Sequence, residues 1–170
     1  MIYRIQEKFW SIGDKFTIFD ERDNEKYHVI GRAFSWGDKL SFQDTQGQEL
    51  AFIEQKLLSW KKRYNILIGG QPFAEITKEI TWFKKKFRLD IPGPNDYTID
   101  GSFWDHEFTV TRDSGQQVAT VSKKMWSWSD CYGVDIVDGE NDIAILCACI
   151  VIDQVLDDEQ GAAAAAGSGS

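Results

Sequence analysis

The sequence has two histidines and three cysteines, too few and too poorly spaced for the common metal-ligand patterns. His28 and His106 stand far apart, and of Cys131, Cys147 and Cys149 the last two lie two apart inside an apolar run, so neither a metal nor a cofactor is expected. An odd number of thiols in such surroundings points to reduced, buried cysteines in a cytoplasmic protein. Positive charge is also short: 19 Lys and Arg face 27 Asp and Glu, for a formal net charge of -8 over 170 residues. That balance excludes general nucleic-acid affinity, which needs a basic face, and restricts any anion site to a local patch. The opening MIYRIQEKFW has no basic, apolar, small-residue succession of a secretory signal, so nothing directs export. A glycine-rich phosphate loop is missing too, since Gly69-Gly70 and Pro92-Gly93-Pro94 are turn makers and neither precedes a helix.

What is present is alternation. Leu40 and Phe42, Tyr64, Ile66 and Ile68, Phe87, Leu89 and Ile91, Phe108 and Val110, and Tyr132, Val134 and Ile136 each alternate with more polar neighbours at period two. Turn chemistry at Asp23-Asn24, Gly37-Asp38, Gln46-Gly47, Gly69-Gly70, Pro92-Gly93-Pro94-Asn95-Asp96 and Ser114-Gly115 separates them into short antiparallel strands. An internal repeat sharpens the pattern. Residues 40–68 align without gaps on 108–136, matching Gly47-Gln48 with Gly115-Gln116, Ser59-Trp60 with Ser127-Trp128 and Tyr64 with Tyr132; residues 70–91 align likewise on 47–68. The repeated unit is a turn, a strand, a Trp-containing corner and a returning strand. The corner is expected at one end of each hairpin, where an aromatic can cover the barrel mouth.

One segment breaks the period. From Asn141 to Leu156 the chain reads NDIAILCACIVIDQVL, apolar on essentially every face between Ile143 and Ile152, with Gly139-Glu140-Asn141-Asp142 as a cap. It is too short and too flanked by acids to span a bilayer, so a helix buried all round is expected. A sheet of about twelve strands closes into a barrel that its own side chains do not fill, and such a helix would fill it. The fold class is therefore mainly β, a closed antiparallel barrel with a hydrophobic C-terminal helix through its centre. Residues 1–160 are expected to form this single domain, and the low-complexity, chargeless 161–170 (GAAAAAGSGS) reads as a linker or tag remnant.

With the runs GDKLSFQDTQGQELAFIEQKLLSWKKRYNILI, DIPGPNDYTIDGSFWDHEFTV and VATVSKKMWSWSDCYGVDIVDGENDIAILCACIVID, residues 2–157 resemble the LURP-one-related family. The resemblance implies the Tubby C-terminal-like barrel, in a superfamily that includes phosphoinositide-binding Tubby domains and phospholipid scramblases. It implies no catalytic residues. The basic lipid contacts of Tubby have no counterpart that can be matched position by position here, and the cysteine-rich segment of scramblases is absent.

The candidate site follows from topology. In an up-and-down meander successive turns alternate between the two ends, which puts the turns near residues 12, 37, 61, 84, 104 and 129 together. Lys61, Lys62 and Arg63 then share an end with Lys84, Lys85 and Lys86, flanked by Trp60, Trp82 and Phe83. Cations beside exposed aromatics suit an anionic lipid headgroup or membrane surface. Two other readings stay open for these residues: solvated turns that serve solubility, or a patch neutralised by Asp153, Asp157, Asp158 and Glu159 as the helix emerges at the same end. As a whole the chain reads as a binding module and not an enzyme, its partner an anionic lipid or, alternatively, another protein for which the barrel is a scaffold. Asp105-His106-Glu107 tempts as an acid-imidazole-acid run, but neighbours on a strand face opposite ways and do not converge. His28 reads as structural, and Cys131, on a turn after Asp130, as an exposed thiol with no base nearby.

Overall fold

A computed structural model describes residues 1–8, 13–31, 37–80, 85–94, 96–123 and 130–167. Twelve strands precede one helix. The strands are β1 (Ile2–Glu7), β2 (Asp14–Asp20), β3 (Glu25–Gly31), β4 (Lys39–Asp44), β5 (Glu49–Gln55) and β6 (Arg63–Ile68). They continue as β7 (Gln71–Ile80), β8 (Lys85–Asp90), β9 (Tyr97–Ser102), β10 (Glu107–Arg112), β11 (Gln117–Ser122) and β12 (Cys131–Ile136), followed by α1 (Asp142–Gly167). Every strand pairs antiparallel with its chain neighbours, and β1 pairs with β12, from Ile2 opposite Asp135 to Gln6 opposite Cys131, so the sheet closes on itself. Closure removes the exposed edges that an open sheet of this size would leave.

The period-two pattern is what makes one face of this sheet an interior. Ile5, Val29, Ile53, Ile66, Leu89 and Val110 are each wholly buried, while the residues between them lie on the outer face. Ile68 departs from the pattern: it ends β6 beside the Gly69-Gly70 turn and is exposed. The helix occupies the space that these side chains leave. All residues from Ala144 to Leu156 are buried, which is why this segment is apolar on every side and has no polar stripe. Asn141 caps it, its Oδ1 accepting from the Ala144 amide at 3.0 Å, and the helix runs on past the apolar segment through the exposed alanines to Gly167. Cys131, Cys147 and Cys149 are free and buried; the exposed position expected for Cys131 is not what the fold gives, because it opens β12 beneath Arg4, whose Nη1 lies 3.8 Å from its Sγ. Burial alone pushes the Cys147 thiol far above its ordinary range, and it is the main cause at Cys149.

The two ends of the barrel are built differently. At the end reached after β2, β4, β6, β8 and β10, here the turn end, four hairpins share one irregularity. Pairing jumps between Ile18 and Phe19, Phe42 and Gln43, Ile66 and Leu67, and Val110 and Thr111, leaving Lys26, Leu50, Phe73 and Val118 unmatched. Leu50 maps on Val118 and on Phe73 by the same offsets that align the repeats, so the sequence repeat is a repeated bulged hairpin. In all four, left-handed residues close the turn, namely Asp23 (φ 62°), Gly47 (φ 82°), the pair Gly69 (φ 57°) and Gly70 (φ 76°), and Gly115 (φ 88°). The other end, here the loop end, carries the connections after β1, β3, β5, β7, β9 and β11, and α1 emerges through it. The repeated Trp/Ser corners near residues 10, 36 and 128 lie outside the described residues. The one at Ser59-Trp60 is described, and its indole is 82% exposed, so it does not cover the barrel mouth.

Candidate functional site

The helix exit organises the loop end. Asp153, on the last buried turns of α1, is 7% exposed and would be costly there without partners. Two rings supply them: the Tyr132 hydroxyl donates to its Oδ2 at 3.0 Å, and His106 Nε2 lies 2.7 Å from its Oδ1. The rings stack on each other with centroids 4.7 Å apart. His106 sits in the turn between β9 and β10 at φ 51°, the left-handed conformation that rotates its ring from the wall toward the helix. Burial first, then the Asp153 charge, raises the Tyr132 phenol well above its ordinary range, so it stays a donor. Beyond this clamp Lys15 donates to Gln154 Oε1 at 2.6 Å.

Asp105, His106 and Glu107 diverge, although Asp105 and His106 stand in the turn before β10 and not on a strand. Asp105 accepts from the Ser102 hydroxyl, Glu107 from the Ser122 hydroxyl, and only His106 turns to the helix. A shallow cleft at the exit is lined by Glu7, His106, Asp130, Asp153 and Asp157. Glu7 is pushed up to about 7, by burial first and then by Asp157 and Asp153. Among the described residues no group of His, Cys, Asp and Glu is arranged to hold a metal ion. His28 faces Glu25 across 3.6 Å on the outer wall.

The predicted basic residues are distributed as follows. Lys61 Nζ lies 5.0 Å from the Trp60 ring, and Arg63 faces Glu75 at 3.5 Å, a carboxylate it shares with Lys56. Lys86 faces Asp100 on the neighbouring strand at 4.0 Å. Lys62 reaches the helix instead, its Nζ 2.7 Å from Asp158 Oδ2. Lys85 also reaches it, 2.5 Å from Glu159 Oε2, with its ammonium over the Trp104 ring at 4.1 Å. Trp82, Phe83 and Lys84 lie outside the described residues. Lys78, the eighth of the ten residues of β7, also pairs with Glu159; as a strand residue it carries no turn signal in the sequence. The emerging helix thus brings Asp158 and Glu159, though not Asp153, to the lysines. Beside them the connection from β5 to β6 exposes Leu57, Leu58 and Trp60, with Leu58 held fully in solvent.

Comparison with known proteins adds a family to this geometry. The model of the LURP-one-related family matches residues 1–153. The chain belongs to the LURP-one-related family. A relative of similar size, the Bacillus subtilis (strain 168) protein named "Uncharacterized protein YxjI", is 41% identical over 153 residues, 89% of this chain and 91% of that one. An X-ray structure of an Arabidopsis thaliana protein superposes with a TM-score of 0.65 at 17% identity, covering 94% of this chain and 91% of that chain. At that identity the likeness speaks for the barrel and not for what it binds. The same barrel fold therefore spans most of the length of both superposed chains. Among the described residues of this member no helix is long and apolar enough to cross a membrane.

Proposed function

We propose that this LURP-one-related barrel is a non-catalytic binding module whose loop end engages an anionic membrane surface. The observation that carries the reading is the juxtaposition of Leu57, Leu58 and Trp60, more than half exposed in each case, with Lys61, Lys62 and Lys85 at one end of an otherwise acidic protein. Large side chains held in water beside cations are what interfacial docking uses: the apolar groups enter the headgroup boundary and each ammonium near an anionic leaflet contributes about 1 kcal/mol. Arg63 and Lys86, paired with Glu75 and Asp100, stand beside these residues at the starts of β6 and β8, and Phe83 and Lys84 precede Lys85 in the sequence. The reading as a module and not an enzyme rests on Asp105, His106 and Glu107 each serving a different structural bond. A protein-docking scaffold would use the same exposed Leu57, Leu58 and Trp60 and is the competing outcome.

The deciding experiment is co-sedimentation with phosphatidylcholine vesicles and with vesicles containing phosphatidylserine, at low and moderate salt. Salt-sensitive binding to the anionic vesicles alone is expected, reduced about tenfold by Lys61→Glu with Lys62→Glu and again by Leu58→Ser with Trp60→Ser. Binding that ignores lipid charge and these substitutions would overturn the membrane reading and turn the search to protein partners.

A further inference from the structure

Lys62, Lys78 and Lys85 come from three neighbouring stretches of wall, before β6, in β7 and at the start of β8. They converge on one short piece of helix. Asp158 takes Lys62, and the two oxygens of Glu159 divide between Lys78 and Lys85. These three differ from the other cations of the loop end, since Arg63 and Lys86 are matched by Glu75 and Asp100 on the wall itself. Without the helix acids, three ammonium groups would face one another over a small area. Burial first, and then the neighbouring charges of Lys85 and Lys62, lower the Lys78 pKa, as crowding of like charges requires. The arrangement is a cationic seat whose occupants, two adjacent carboxylates, belong to the same chain.

We propose that Lys62, Lys78 and Lys85 form a seat for a doubly charged phosphate group, and that Asp158 and Glu159 occupy it until such a phosphate displaces them. The charge count favours that ligand: a phosphomonoester dianion replaces two carboxylates with no change in the balance against three lysines, whereas a phosphodiester brings half the charge. Its oxygens are also placed close enough together to serve ammonium groups arriving from several sides, as compact point charges suit phosphate. Displacement frees the helix end beyond Leu156, where the chain is exposed and held to the wall by ion pairs, while the Asp153 clamp keeps the buried helix in place. The seat deepens the membrane reading above and rests on it, with Leu58 and Trp60 bringing the rim to the headgroup layer.

The test uses the full chain, the double variant Asp158→Asn with Glu159→Gln, and that variant carrying Lys78→Gln. Probes are vesicles with phosphatidic acid, vesicles of equal charge with phosphatidylserine, and inorganic phosphate as a soluble competitor. The double variant is expected to bind phosphatidic acid vesicles about tenfold tighter than the parent and to gain less on phosphatidylserine. Lys78→Gln should cancel the difference, and inorganic phosphate should compete. An equal gain on both lipids would reduce Asp158 and Glu159 to general repulsion and overturn the seat while leaving the membrane reading intact. Phosphate binding by the double variant, followed by NMR shifts near Lys78 with no vesicle binding, would keep the seat and assign it to a free phosphate. Failure of the double variant to bind any of the three would overturn both.

Discussion

The turn end and the loop end of the barrel differ in how much of their order is local. At the turn end the tight turns order themselves, Asp20 Oδ1 accepting the amides of Arg22 and Asn24 and Asp44 Oδ1 those of Gln46 and Gln48, all at 2.9 Å, beside remote bonds such as Tyr3 to Asp142 and Tyr97 to Glu140. Arg88, on the wall beside it, gathers Asp90, Asp96 and Asp113. At the loop end the partners are remote in sequence, Lys62 with Asp158 and His106 with Asp153, and they meet only because the helix threads the barrel. Local order comes with the hairpin itself, whereas remote order depends on the whole barrel having closed and so is cheaper to undo piecemeal. The same division separates the end with the self-ordered turns from the end at which binding is proposed.

Asp153 is where the loop end should matter most to folding. Asp153→Ala strands the buried Tyr132 hydroxyl and the inner face of His106 without their acceptor, at a cost of about 2 kcal/mol. For a chain of this length that is about 4–8 °C in Tm. A melt unchanged by Asp153→Ala would show that the exit clamp holds nothing, and the two ends would differ even more than the geometry suggests.

The contrast also decides what could be read in advance. Strands, turns and the capped apolar helix are legible because each is written in consecutive residues, and the repeated bulge lies under the repeated Gly-Gln. The alternative in which helix acids meet the lysines was legible too, because topology alone sends the helix back to the loop end. Lys78 is not, since a lysine inside a strand looks like any outward wall residue. His106 was discounted for a sound reason, strand alternation, which does not apply at its left-handed turn position. Nor does alternation show that Arg4 covers Cys131, or that Trp60 turns away from the barrel mouth.

A smaller effect is expected at the turn end. Gly115 closes its hairpin at φ 88° with open space where a Cβ would stand, so Gly115→Val pays only for backbone conformation, about 1–2 kcal/mol. Thermal melts should fall by about 3–6 °C, with vesicle binding unchanged. Gly115→Asn should be nearly neutral, because Asp23 already holds the equivalent place at φ 62°. Equal losses for both would mean the space is not open; weakened vesicle binding would mean the two ends are coupled through the barrel.

The least of these effects, and the one that sets the ends against each other, is in pH. Asp20 is held below its ordinary range, first by the Asn24 amide, so its contribution is present above its unfolded pKa and fades as pH falls. Glu7 runs the other way. Its carboxyl titrates at about 7 in the fold, against about 4.3 in an unfolded chain. Between those values the folded protein keeps a proton that the unfolded chain has lost, so stability declines as pH rises through that window. Asp157 is raised in the same direction, by burial first and then by Asp153, which adds to the decline. Glu7 is partly open to solvent, so about 1 kcal/mol is expected, or about 2–4 °C in Tm. Melts from pH 5 to pH 8 should therefore slope downward in the parent, flatten in Glu7→Gln, and keep the slope in Asp20→Asn. A slope that survives Glu7→Gln would move the titrating group elsewhere, and Asp157→Asn would then identify whether the helix exit holds it.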